Sequence, residues 1–349
     1  MTHPWAPFLP LNTSLMANTA HNDTSKEGGN LGLIPLSDYR IITLTGPDAL
    51  AFLQGQCTCD FGVFAQEQWL RGAHCNPKGR MISSFTAAQL APEVIGLRVH
   101  HSIATQTIEA FKKYLVFSKA QCELSEYLAV GLTQASVAAL AVVLRPEPSL
   151  TPEQPLTPEP ARAPEPPINL AQLVTRTSTY GLLLTGHHMA ELWLTPEQLR
   201  ALIDHLIQQN IAQPLLAPAL WQHMMIEQGI AEVTELTTQR FLPQAFNYDA
   251  IGAVSFKKGC YTGQEIIARM HYKGQSKQRL HLLRSHDANL SLGQPLLNTA
   301  GKAVGEVINA SGHLILACSS AYLGDEPLHV KSANNAPLSA VALPYSLVQ

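Results

Sequence analysis

The chain is 349 residues long, 46% hydrophobic and 14% charged, with a formal net charge of −3. That length allows two or three domains, and the slightly acidic balance excludes a global positive field for holding nucleic acid. The opening residues, Met1-Thr2-His3-Pro4-Trp5, lack the basic and apolar regions of a secretory signal, and no stretch has the apolar length of a membrane span; a cytoplasmic protein is expected.

Residues 1–30 are polar and rich in turn formers, which predicts a flexible tail. A first ordered segment is expected over 31–144. In it Arg40–Thr45 reads as a strand, and Gly46-Pro47-Asp48 opens a short helix through Phe52 and Leu53, with Gly55 as the expected stop. In an alternating strand Cys57-Thr58-Cys59 would put two thiols on one face, which equally suits two small core residues. The gap is not zinc-knuckle spacing and no second pair follows, so no metal site is assigned. The six cysteines (57, 59, 75, 122, 260 and 318) are expected to be reduced thiols. Ile108, Phe111, Tyr114 and Leu115 have the spacing of a helix over 105–115. Residues 145–167 carry proline at every second to fourth position with glutamates between, a solvated linker or insertion.

A second ordered segment is expected over 168–274. Leu194-Thr195-Pro196-Glu197 starts a helix whose stripe is Leu199, Leu202, Ile203, Leu206 and Ile207. Another helix is predicted from Pro218 to Gln228, stopped by Gly229. It carries Trp221, which reads either as core or as a stacking platform for a flat heterocycle. It also carries Glu227, a carboxylate able to take two parallel N–H bonds from an amino-pyrimidinone edge. Six residues correspond to about 240° of helical turn, so the two do not share a narrow face.

The run Lys257-Lys258-Gly259-Cys260-Tyr261-Thr262-Gly263-Gln264-Glu265 concentrates the most chemistry. Thr262 and Glu265 have capping-box spacing, which predicts Thr262 as the N-cap of a helix carrying Ile266, Ile267 and Met270. Cys260 would then lie two residues before that cap. Lysines and helix N-termini both favour the thiolate, the nucleophilic form; the alternative is a small residue in a turn. Lys257, Lys258, Arg269, Lys273, Lys277 and Arg279 make a local basic patch with one acid, Glu265, read either as a solvated face or as an attractor of an anionic ligand. From 275 to 349 short alternating segments split by Gly and Asn predict a small antiparallel barrel or sandwich.

Lys258–Glu265 resembles the signature of the YgfZ family, folate-binding proteins related to the T-protein (aminomethyltransferase) of glycine cleavage. Phe52–Asp60, His74–Arg80, Lys113–Lys119, Phe241–Gln244 and Leu343–Leu347 resemble further family blocks in the same order. The resemblance implies an α+β fold: a discontinuous T-protein-like folate-binding region around a central opening, in two parts at 31–144 and 168–274, followed by a C-terminal antiparallel β-barrel at 275–349. It implies tetrahydrofolate held by Tyr39, Trp221 and Glu227, with Tyr39 where relatives often have Trp. It implies Cys260 as the reactive or cluster-contacting thiol, with Lys258 and Lys257 favouring its ionisation. The implied function is an accessory protein that supports assembly or repair of iron–sulfur enzymes. The expected partners are client proteins such as a radical tRNA methylthiotransferase, with tRNA involved indirectly. Where T-proteins carry a paired Asp after their Asn-x-x-Gly-Gly, this chain has Ser83-Ser84, so aminomethyltransferase activity is expected to be absent. The rival readings are a one-carbon transferase or oxidoreductase of unknown substrate, and a direct tRNA-binding module.

Overall fold

Apolar residues at strand and helix periods collect into separate cores, and the chain passes between two units more than once. A computed structural model describes residues 4, 5, 7, 8, 32–64, 69–133, 135–137, 182–186, 189–208, 215–274, 276–288, 290–320, 327–330 and 337–347. The Pro-rich 145–167 segment and most of 1–30 lie outside the described residues. One unit takes Met1–Leu36 with Tyr127–Ala217, the other Ser37–Glu126 with Pro218–Gln349.

In the first unit β1 (Leu33–Pro35), β7 (Leu128–Thr133), β9 (Met189–Leu194) and β8 (Leu182–Gly186) pair in that order, all antiparallel. Helix Pro196–Gln208 buries Leu199, Leu202, Ile203 and Leu206 in a core with Val130, Leu132, Leu192 and Leu194. Its start is a realised capping box: Gln198 N–H donates to Thr195 Oγ1 while Thr195 N–H donates to Gln198 Oε1. Trp5 and Phe8, in the segment expected to be a tail, meet edge to face and are buried in this same core.

The second unit holds a five-stranded sheet in the order β3 (Trp69–Cys75), β4 (Met81–Ala91), β5 (Val94–His100), β2 (Tyr39–Thr45) and β6 (Gln121–Leu124). One face is apolar: Ile42, Leu44, Phe85, Ala87, Leu97 and Val99 pack with Leu53 of α1 (Ala49–Gln56) and with Ile108 and Phe111 of α2 (His101–Leu115). The expected stop at Gly55 is not where α1 ends; Gly55 lies in its last turn and Cys57 caps it. Helix α2 starts four residues before the predicted point because His100, on extended backbone, caps it by accepting from Ser102 N–H. The closed C-terminal barrel runs β10 (Arg279–Arg284), β13 (Leu314–Ser319), β12 (Ala303–Ser311), β11 (Pro295–Leu297), β14 (Leu328–Val330) and β15 (Pro337–Val341). The fold is thus α+β with an antiparallel barrel, as expected. Among the described residues no helix is long and apolar enough to cross a membrane.

Two polar groups are buried on the apolar side of the sheet. Ser83 Oγ and both ring nitrogens of His74 have no hydrogen-bond partner among the described residues, and the His74 ring stacks on Phe111 at 4.4 Å. Burial holds His74 down to about 4, against an ordinary value of 6.5. The unfolded chain therefore binds this proton first on acidification, so stability is lost as pH falls from about 6.5 towards 4 and levels off below. From pH 7 to pH 5 this one residue should cost roughly 2 kcal/mol of unfolding free energy. Urea unfolding of wild type and His74→Phe at both pH values should show that part of the acid sensitivity disappearing in the variant.

Candidate functional site

The loop from Ala253 to Gly263 is built against the stretch that follows α1. Thr58 Oγ1 donates to Ala253 O (2.7 Å) and accepts from Ala73 N–H (2.9 Å), and Ser255 N–H donates to Thr58 O (2.8 Å). Lys258 then enters the interior: its Nζ donates to Cys57 O at 2.9 Å and Cys59 O at 2.7 Å, with the Tyr261 ring 5.2 Å away. Cys57 is extended and bridges to His74, Thr58 is drawn to Ala253, and the carbonyls of Cys57 and Cys59 turn to Lys258. Both thiols are buried; burial pushes Cys59 up to about 12 and Cys57 well above its ordinary value. Among the described residues no group of three or more His, Cys, Asp or Glu is placed to hold a metal ion.

Thr262 is not the predicted N-cap. Its hydroxyl donates to Gln56 Oε1, and the cap is Gly263, at φ +82°, ahead of helix α5 (Gln264–Lys273; α3 is Pro196–Gln208 and α4 Ala219–Glu227). Glycine is required there twice over. The backbone is left-handed, and a Cβ would stand 2.5 Å from Asn76 O and 2.9 Å from the Cα of Gly79. Gly79, at φ +72°, faces Ile266 and Ile267 in return. The His74–Arg80 block and the cysteine block are therefore two halves of one close backbone contact. Gln244 Nε2 adds a bond to Ile267 O at 2.8 Å.

Cys260 is the exposed thiol among the six, three residues before the cap. Its neighbours are otherwise committed: Lys258 is 9% exposed, Tyr261 is buried and Thr262 is bonded. Lys258 shares the loop with Cys260, yet its ammonium is spent on two carbonyls. Of the predicted basic patch, Lys258 is thus withdrawn and Arg279 is paired with Asp249 at 2.7 Å, while Lys257, Arg269, Lys273 and Lys277 are exposed. On the same helix His271 stacks on Phe256 at 3.7 Å.

The other predicted residues sit elsewhere in the same unit. Tyr39 opens β2 opposite His100. Arg98 lies over its ring at 4.2 Å, and its hydroxyl bonds Glu232. Arg98 is fully buried and meets Glu232 Oε1 at 3.2 Å and Thr86 Oγ1 at 3.0 Å. Burial pushes the Glu232 carboxyl up, but Arg98, Arg71 and the Tyr39 hydroxyl together outweigh it and hold the group below its ordinary value. Trp221 is buried on α4, and its Nε1 has no partner among the described residues. Glu227 ends the same helix, exposed, 3.5 Å from His223 Nε2. Ser84 Oγ accepts from Val233 N–H at 2.7 Å.

Among curated relatives, the tRNA-modifying protein YgfZ of Edwardsiella ictaluri is 32% identical over 338 residues, 91% of this chain and 94% of that one. The chain belongs to the YgfZ family. The tRNA-modifying protein YgfZ of Photobacterium profundum is also 32% identical, over 279 residues, 79% of this chain and 75% of that one. No family model matches. Among solved structures, the glycine cleavage system aminomethyltransferase T from Bartonella henselae superposes with a TM-score of 0.65 over 90% of this chain and 85% of its own, at 16% identity. It shares the fold. The family signature therefore covers a scaffold in which most motif residues hold the loop and one thiol is presented.

Arg98, Glu232 and Arg71 do not stand out in the sequence. The signal there is a permanent cation inside the apolar alternation Val94–Val99, which a buried strand accepts when a carboxylate meets it. Brief alkylation of native protein, read by mass spectrometry, should label Cys260 fast and the other five thiols only on unfolding. Lys258→Met, which leaves two inward carbonyls without a donor, should lower unfolding free energy by roughly 2–4 kcal/mol. Retention of wild-type stability would remove the lysine from its structural role.

Proposed function

We propose that the chain is a tetrahydrofolate-binding accessory protein that supports assembly or repair of iron–sulfur enzymes and, through them, tRNA modification. The observation that carries this reading is a single exposed thiol, Cys260, on a clamped loop in a member of a family whose curated relatives are named tRNA-modifying proteins. A loop fixed at Lys258, Thr262 and Gly263 holds its thiol in one place, which suits repeated contact with a client's cluster or disulfide better than packing does.

The folate half of the proposal rests on two aromatic positions. Trp221 offers a buried indole with an unused N–H, and Tyr39 offers a ring whose position Arg98 and Glu232 fix. Glu227, exposed at the end of α4, is the acceptor proposed for the amino-pyrimidinone edge. The client is an iron–sulfur enzyme such as a radical tRNA methylthiotransferase, and tRNA is reached through that enzyme.

In a host lacking this gene, 2-methylthio-modified tRNA, measured by mass spectrometry of nucleosides, should be restored by wild type and not by Cys260→Ala at equal soluble level. Equal restoration by both would move the function off the thiol. Aminomethyl transfer should be absent: with Ser83 and Ser84 in place of a carboxylate pair, and Ser84 Oγ engaged by Val233, no side chain at that position accepts a proton near neutrality. Folate-dependent release of ammonia from an aminomethylated carrier protein would overturn this and favour the transferase reading.

A further inference from the structure

The five-stranded sheet has a polar face opposite its apolar one, and its charges do not balance. Arg71 on β3, Thr86 on β4 and Arg98 on β5 stand in register in one row. The next row on the same face brings His100 beside Tyr39. Among the described residues Arg98 is ion-paired with Glu232, bonded to Thr86 and set over the Tyr39 ring. Arg71 is not. Its guanidinium lies 6.0 Å from the Trp69 ring, and one terminal nitrogen is buried without a hydrogen-bond partner among the described residues. Both arginines act on the one carboxylate, Glu232, and the other groups that feel Arg71, Tyr248 and Tyr345, are phenols kept neutral by burial. Among the described residues two permanent cations thus act on one carboxylate, with a dry donor left over. Burying such a donor is costly unless an acceptor meets it, and a carboxylate is the acceptor a guanidinium binds best.

We infer that Arg71 forms a carboxylate subsite adjoining Tyr39. One carboxylate links the two positions: the Tyr39 hydroxyl bonds Glu232, Glu232 pairs with Arg98, and Arg71 acts on the same carboxylate through its charge. On the folate reading above, on which this inference rests, the group held is a carboxylate of the glutamyl tail. The tail would neutralise the excess charge that Glu232 leaves, so a ligand that ends at the aminobenzoyl group as a neutral amide, without the glutamate, lacks that contact. Glu232 has a second role in this arrangement: by holding Arg98 against Tyr39 it leaves Arg71 as the cation without a paired acceptor among the described residues.

The test uses the full chain with tetrahydrofolate and the primary amide of tetrahydropteroate, which lacks the glutamate and carries no carboxylate, titrated calorimetrically against wild type, Arg71→Gln and Arg71→Lys. Wild type should prefer tetrahydrofolate by on the order of 10- to 100-fold, the range of a charged hydrogen-bonded contact. Arg71→Gln should lose that preference while binding the tetrahydropteroate amide within about twofold of wild type, a control that the site is folded; Arg71→Lys, keeping the charge without the fork, should retain part of it. An undiminished preference in Arg71→Gln, or equal weakening of both ligands, would overturn the inference and leave the folate reading standing. Binding of neither ligand by wild type would overturn the folate reading and this subsite with it. Competition by free glutamate that Arg71→Gln abolishes, without a tetrahydrofolate preference, would assign the subsite to a separate carboxylate and overturn its placement on the folate tail.

Discussion

A buried ammonium holds the second unit's two halves together. Lys258 Nζ reaches the carbonyls of Cys57 and Cys59, 201 and 199 residues away in the chain, and satisfies both from a side chain 9% exposed to solvent. An ammonium so placed must have acceptors in fixed positions, because its desolvation is offset only by good geometry. The rest of the loop follows from that requirement. Thr58 between the two carbonyls must turn to Ala253, Ser255 must meet Thr58, and the next glycine cap must come close enough to Asn76 and Gly79 to exclude a side chain. Once these positions are taken, the thiol at 260 has nowhere to be buried. Its exposure is a product of what its neighbours do.

The five-stranded sheet separates two kinds of stabilisation. Its aliphatic face lies under α1 and α2 and works by burial. Its other face carries Arg98, Glu232 and Tyr39 in a charged, hydrogen-bonded stack. Removing one member of such a stack strands another, so these residues are mutually dependent in a way that the aliphatic ones are not.

Strands, helices and the barrel are legible because alternation and helical spacing survive in the letters: Leu199, Leu202, Ile203 and Leu206 all bury as their spacing requires. Local capping is legible unevenly. Thr195 and Gln198 form the box their spacing suggests, whereas Thr262 and Glu265, equally well spaced, do not. The difference is tertiary: Gln56 takes the Thr262 hydroxyl, and the contact with Asn76 and Gly79 pushes the cap onward to Gly263. Lys258 reads as a neighbour of Cys260 because sequence shows adjacency along the chain; the two carbonyls that claim it lie on a different stretch. Arg98 and Glu232 escape a linear reading for the same reason, since each makes sense only beside the other. The family resemblance locates Tyr39, Trp221 and Cys260, and the structure adds which groups surround each of them.

The long separation between Lys258 and its carbonyls also sets an order of events during synthesis. The Cys57–Cys59 stretch leaves the ribosome first and waits for its cation until the chain has grown by about two hundred residues, roughly 10 to 40 seconds at ordinary elongation rates. Throughout that interval the sheet's first strands and α1 exist without the loop that meets the Cys57–Cys59 stretch, and the tyrosine that closes on Gly229 and Asn247, Tyr345, arrives later still. The intervening segment, by contrast, supplies most of a unit whose strands β8 and β9 are near neighbours in sequence and can pair as they emerge. The nascent protein therefore passes through a stage in which its most chemically loaded stretch is the last to find a home, and a pause or truncation before codon 258 leaves Cys57 and Cys59 as accessible thiols in a half-built unit.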